Sequence, residues 1–153
     1  MKLNQLFERD GRIPNPLLQG EIDYDVMDDI DDIENDYHQA LHHGREDSKN
    51  MSIQDRLNVS RDHMRSELAK IVDVPIKELT PFEPDYDKEH VDNIAGKNNP
   101  PSEVYKHNGK YYINDGNHRV LADLAAGKST TKARVIDTAE VKAAAKRMWA
   151  EKI

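Results

Sequence analysis

Apolar residues recur at helical spacing over residues 25–43. Val26, Ile30, Ile33, Tyr37 and Leu41 stand four, three, four and four apart and so share one stripe. Asp28, Asp29, Asp31, Asp32, Glu34 and Asp36 fill the other face. Acids at the front and His38, His42 and His43 near the back suit the helix dipole, and Gly44 is a fitting stop. A second helix is predicted from Ser52, with Asp55 three residues on as a capping partner. Ile53, Leu57, Met64, Leu68 and Ile71 carry its stripe to Val72. Together the two read as a helical hairpin. Ahead of it, Gly11, Pro14, Pro16 and Gly20 punctuate residues 1–24, which show no period and read as an arm able to tuck Leu17 and Leu18 onto the domain.

After Val74 the texture changes to short elements. Residues 75–79 read as a strand ended by Pro81 and Pro84, and 87–95 as a short helix closed by Gly96. Residues 103–106 and 110–114 hold β-favouring Val104, Tyr105, Tyr111, Tyr112 and Ile113, with His107-Asn108-Gly109 between them as a hairpin turn. Asp115-Gly116 makes a turn, 117–126 a helix ended by Gly127, and 133–136 a strand. Thr138 is the expected cap of a last helix over 139–152, whose apolar side is Val141, Ala145, Met148 and Trp149, with Trp149 as its anchor. The pattern predicts an α+β protein in three parts: an arm over 1–24, an acidic helical hairpin over 25–73, and a small mixed-sheet domain over 74–153 closed by the C-terminal helix.

Composition narrows the function. Among 153 residues, 33% are charged and 37% apolar, a wet balance that leaves part of the chain on or outside a core. No apolar run approaches the roughly 20 residues that span a bilayer, and the first residues do not read as a signal peptide, so no membrane role is expected. Cysteine is absent, which excludes disulfides, thiol catalysis and zinc–thiolate sites and makes a cytoplasmic setting the default.

Charge is unevenly spread. The net value of −7 divides into −8 over residues 1–50, −3 over 51–116 and +4 over 117–153. The total argues against a general nucleic-acid binder, which carries a basic face, but a local phosphate site in the last third is compatible with it. Nine carboxylates lie within residues 21–36. Their spacing lacks the glycine and terminal glutamate of a calcium loop, so a solvated face is the plain reading. The sharper one is a surface that binds a basic partner or mimics nucleic-acid phosphates. His38 and His42 stand at the i, i+4 spacing of a zinc pair but lack an adjacent acid, and are expected as surface histidines. Tyr105, Tyr111 and Tyr112 can stack bases, but core packing is the default.

The chemistry concentrates in Ile113-Asn114-Asp115-Gly116-Asn117-His118-Arg119. A strand ends, a glycine turns the chain, and a helix begins with Asn, His and Arg. A helix N-terminus offers unpaired N–H groups and a positive dipole end. Gly116 lacks the Cβ that would hold an anion off, Arg119 supplies a fork of donors, His118 can donate or exchange a proton, and Asp115 can hold Mg²⁺. Beside this phosphate-site reading stands a plain one: Asn117 as a helix cap, Arg119 on the surface, His118 a satisfied hydrogen-bonder.

Four pieces in order carry a resemblance: Ile76-Lys77-Glu78-Leu79-Thr80-Pro81, the helix Glu89-His90-Val91-Asp92-Asn93-Ile94-Ala95, Asn99-Pro100-Pro101-Ser102-Glu103-Val104-Tyr105, and Gly109 through Arg119 followed by Ala122, Gly127 and Ala133-Arg134-Val135-Ile136. Residues 74–138 resemble the ParB/sulfiredoxin superfamily, whose members include CTP-binding partition proteins, ATP-using sulfinic acid reductases, free-serine kinases and proteins described as DNA nucleases. The resemblance implies that Gly116, Asn117, His118 and Arg119 bind phosphate, with Asp115 and Glu78 as metal or base candidates and Mg²⁺ with ATP or CTP as the cofactor pair. Sulfinic reductases place a catalytic cysteine where this chain has Asn117, so that activity is excluded. Only one helix is predicted after Ile136, where partition proteins continue into a DNA reader, so partition in its usual form is not expected. The partition box has Glu-Arg-Arg where this chain has Asn-His-Arg. The leading expectation is therefore binding of a nucleotide or nucleic-acid phosphate at the 115–119 turn, with phosphoryl transfer or phosphodiester cleavage by His118, Arg119, Asp115 and Glu78. The other is a non-catalytic interaction protein of phage or mobile-element type, using the acidic helices 25–43 and 52–72.

Overall fold

The computed structural model describes residues 12–152. Their elements run β1 (Arg12–Pro14), α1 (Tyr24–His42), α2 (Ile53–Leu68), β2 (Lys70–Pro75), β3 (Leu79–Pro81), β4 (Asp85–Asp87), α3 (Lys88–Ile94), β5 (Ser102–His107), β6 (Lys110–Asp115), α4 (Asn117–Ala125), β7 (Thr130–Asp137) and α5 (Thr138–Glu151). The class is α+β. The chain divides into two compact units, the first built from residues 12–23 and Lys70–Val135, the second from Tyr24–Ala69 and residues 136–152. No described helix is long and apolar enough to cross a membrane.

The first unit is a mixed five-stranded sheet in the order β2-β7-β5-β6-β3. β5 and β6 form the expected hairpin, turned by Asn108 at φ 51° and Gly109 at φ 79°. Positive φ at both central residues matches the right-handed twist of the strands, which is why Asn-Gly is found there. β3 then pairs parallel to β6, with Leu79 opposite Tyr111 and Pro81 opposite Ile113. Val74, Ile76, Leu79, Val104, Ile113 and Ala133 make the core with Val120 of α4. A satellite of Val91, Leu121 and Ala122 joins α3 to α4. Tyr105 and Tyr112 are cross-strand partners and both are buried. Phe82 stacks on Tyr112 at 5.3 Å, so these rings serve packing.

The second unit packs α1 against α2 and α5. Ile30, Tyr37, Ala40 and Leu41 of α1, Met64 of α2, and Val141, Ala144 and Ala145 of α5 are its buried residues. Polar groups are buried there too. His42 meets Ser48 Oγ at 2.6 Å, the Arg56 carbonyl at 2.9 Å and Ser60 Oγ at 3.1 Å. Tyr37 pairs with His63, and burial, then the Glu67 charge, push its phenol up to about 12. Trp149 anchors α5 to α1, its indole N–H donating to Asp36 at 3.1 Å.

Several boundaries differ from the expected ones. Helix α2 ends at Leu68, not Val72. Ile71 and Val72 instead lie on edge strand β2, 55% and 44% exposed. The β-branched Ile71, Val72 and Val74 favour an extended chain, and the i+3 match of Leu68 with Ile71 is coincidental. The strand expected over 75–79 is a 3₁₀ turn over Ile76–Glu78 that leads into β3. The arm of 1–24 is ordered over its described part: β1 pairs with β4, and Leu17 packs against both core clusters. Asp137, not Thr138, caps α5, accepting from the Ala139 N–H at 2.9 Å. Helix α5, expected to close the 74–153 domain, packs on α1 in the second unit, and the five-stranded sheet begins at Lys70.

Candidate functional site

The turn between β6 and α4 brings Asp115, Gly116, Asn117, His118 and Arg119 to the end of the sheet. Gly116 sits at φ 101°, ψ 28°, a left-handed conformation that costs a side-chain-bearing residue about 1–2 kcal/mol. A Cβ on it would lie 2.8 Å from Ser102 Oγ and 2.9 Å from Ser102 Cβ. Its first role is therefore close packing on β5. The Ser102 hydroxyl also donates to the Gly116 carbonyl at 3.2 Å.

Asn117 is 3% exposed. Its side-chain oxygen accepts from Asn15 Nδ2 at 3.3 Å. Asn15, 4% exposed, also donates to the Glu83 carbonyl, and its own side-chain oxygen accepts from the Leu17 N–H at 3.0 Å. The helix cap is Gly116, not Asn117. The Asn117 carboxamide instead clasps the arm to the turn.

His118 points toward β4 and α3. Its Nε2 accepts the backbone N–H of Asp87 at 3.1 Å. In the neutral ring the proton is therefore on Nδ1. The His90 ring stands edge-on to it at 4.7 Å. Burial lowers the pKa of His118, and the charges of His90 and Arg12 lower it further, while those of Glu83 and Asp87 raise it. The imidazole is held neutral as an acceptor.

Arg119 points the other way. Its Nη1 donates to the Pro101 carbonyl at 2.7 Å, and its Nη2 lies 3.6 Å from Asp115 Oδ2. It lines a polar cleft with Lys97, Lys128 and Lys132. Two carboxylates, Asp73 and Asp123, also face the cleft. Asp123 already accepts from Thr131 Oγ1 at 2.6 Å and lies 3.5 Å from Lys128 Nζ. Four cations stand against Asp73 and Asp123 in the lining and Asp115 beside Arg119, an excess of one positive charge in an acidic chain.

Glu78 does not join the site. β3 runs parallel to β6, so Glu78 lies at the Lys110 end of β6, the opposite end from Asp115. Five residues of strand separate those ends by roughly 16 Å. Nor do the residues present suit a protein-held Mg²⁺: Asp115 is a single, largely exposed carboxylate beside a guanidinium. Among the described residues no three His, Cys, Asp or Glu side chains group to hold a metal. His38 and His42 are not a surface pair, because His38 bonds Ser60 Oγ at 2.8 Å and both nitrogens of the buried His42 are engaged.

Sequence reasoning missed Lys97, Lys128 and Lys132 as a group, although the positive charge of 117–153 pointed to the last two. The parts played by Asn15, Ser102 and Asp87 in holding the turn were not visible, because each acts through a contact distant in sequence.

Among solved structures, sulfiredoxin from Arabidopsis thaliana matches this chain over 49% of its length and 96% of the plant protein, at 21% identity and a TM-score of 0.37. No family model and no curated protein matches it.

Proposed function

We propose that the first unit binds the phosphate groups of a nucleotide or nucleic acid in the cleft beside Arg119. The observation that carries this reading is the convergence of Arg119, Lys97, Lys128 and Lys132 on one polar cleft beside α4. Charge-assisted donors of this kind favour a phosphate there. The reading is one of binding. His118, the residue expected to move a proton, faces the other side of the helix and is engaged by Asp87. Mg²⁺ enters this reading only as the companion of ATP or CTP, held by their phosphate oxygens. Titration calorimetry with ATP, CTP and a short oligonucleotide tests it. Binding that weakens with salt and drops about tenfold or more in Arg119→Ala supports it. Unchanged affinity in both Arg119→Ala and Lys132→Ala rejects it.

A second reading concerns the other unit. Asp31 on α1 has its pKa raised by partial burial and by the charges of Asp28 and Asp32. A basic partner would relieve that crowding. A pull-down that survives Arg119→Ala but disappears when Asp28, Asp29, Asp31 and Asp32 become Asn favours it. Dependence on Arg119 counts against it.

A further inference from the structure

The two edges of the five-stranded sheet are built differently. β3 is three residues long and ends at Pro81, which has no N–H to offer a further strand. β2, at the other edge, is six residues long, and Lys70, Ile71, Val72 and Asp73 are all exposed. Successive side chains of a strand point to opposite faces, so this exposed run leaves both faces open at the edge. The ladder fixes which backbone groups point outward. Pro75 pairs with Thr130, and just beyond it the Ile76 N–H donates to the Ser129 carbonyl at 2.9 Å. Hydrogen-bonded and non-hydrogen-bonded pairs alternate along an antiparallel ladder. Val74, Val72 and Lys70 therefore exchange bonds with β7, while Ile71 and Asp73 turn their N–H and C=O groups away from it. An edge of this kind is a template for another strand.

We infer that β2 pairs antiparallel with β2 of a second copy of this chain, about a two-fold axis at Val72, joining the two five-stranded sheets into one. A two-fold interface brings the same patch together on both copies. Between antiparallel strands that axis stands perpendicular to the sheet, so opposed residues share a face and every allowed register is centred on one residue. Centred on Val72, Ile71 of each copy stands opposite Asp73 of the other, and each such pair exchanges both main-chain bonds through groups that already point outward. Centred on Asp73, two carboxylates face each other directly, which is destabilising. Centred on Ile71, the pairing draws on Ala69, which lies outside the strand and whose N–H already donates to the Arg65 carbonyl. The Val72 register also lets the two exposed Val72 side chains meet, and leaves each Asp73 opposite Lys132 of its own β7. Lys70 and Asp73 cancel within the strand, so two copies of a chain with a net charge of −7 meet at a neutral edge. The pairing surface is short and the association is of the weak, transient kind.

The chain has no cysteine, so a single introduced thiol reports the register. At the axis the two Val72 residues form a non-hydrogen-bonded pair with Cα atoms about 4.5 Å apart, inside the roughly 4.4–6.8 Å range of a disulfide. In the same register the two Lys70 residues are about 14 Å apart along the strands, well outside it. Under mild oxidation the full chain carrying Val72→Cys is expected to form a covalent dimer about tenfold or more faster than the chain carrying Lys70→Cys. Sedimentation of the wild-type chain should show a dimer that grows with concentration. Ile71→Pro removes an outward N–H and leaves the bonds to β7, and Val72→Lys sets like charges directly opposite each other. Both should abolish the dimer while keeping the melting temperature within a few degrees, because both positions are exposed. Equal cross-linking at positions 70 and 72, a wild-type chain that stays monomeric at every concentration, or a dimer that survives either substitution overturns the pairing.

Discussion

Two sides of one helical turn behave differently. Asn117 and His118 face a closed side, where the arm and β4 take up their polar atoms. Arg119, one residue on, faces an open cleft among lysines. Successive residues of a helix diverge by 100°, so three neighbours in sequence need not share an environment. What reads as one phosphate-binding string is in this fold a structural clasp on one side and a ligand surface on the other. A motif's composition therefore names a chemistry, while its helical phase decides which residues deliver it.

Four experiments break or sharpen that contrast. Gly116→Ala should damage both sides at once, because it combines a positive φ with a collision against Ser102; a loss of about 2–4 kcal/mol in denaturant unfolding is expected. Asn117→Ala should act on the closed side alone. It leaves the buried Asn15 amide short of a partner, at about 1–3 kcal/mol, and should raise hydrogen exchange at residues 15–18 without weakening ATP or CTP binding. Arg119→Ala is the reciprocal case, costing about 1.4 kcal/mol or more in phosphate affinity, the tenfold loss given above, and less in stability. A variant pair that lowers both properties equally would erase the distinction between the sides.

The smallest effect is that of pH. The His118 pKa is depressed in the folded chain, so the unfolded chain binds the proton more readily. Stability from this group is complete above the ordinary value of about 6.5 and is lost as pH falls below it, toward the lower folded value. The lost proton acceptor is the one serving Asp87, so acid should loosen β4 and the arm before it affects the Arg119 cleft. His118→Gln should flatten the stability–pH slope below pH 6.5. His38 in the second unit shifts in the same direction, through burial and then the charges of His42 and Arg56, so the measurement belongs on a probe within the arm.

What could be seen in the sequence was local. The stripe of α1, the Asn108-Gly109 hairpin, the capping of α2 by Ser52 and the strand–turn–helix around Gly116 all rest on residues a few positions apart, and the structure has them. Where competing local signals met, the reading slipped. Ile71 fits a helical stripe and a β-branched run equally, and only the pairing of β2 with β7 decides between them. The site divided in the same way. The turn was visible as a string of residues. Its partition into clasp and cleft depends on Asn15, Asp87 and Lys97, which reach it across 102, 31 and 22 positions, distances that no periodicity encodes.

The chain enters the sheet unit with the arm, leaves it at residue 23 for two helices, returns at Lys70, and leaves again after Val135. Neither unit is a continuous stretch of the coding sequence. A fragment beginning at Lys70 would carry the five strands but would strip away Asn15 and Leu17 and leave Val141, Ala144 and Ala145 of α5 without α1. A fragment ending at Ala69 would keep the acidic helices and lose the third helix they pack against. Recombination can therefore exchange neither unit as a cassette with a single crossover. Transplanting the sheet would need a splice from residue 23 directly to residue 70, and a second cut before α5.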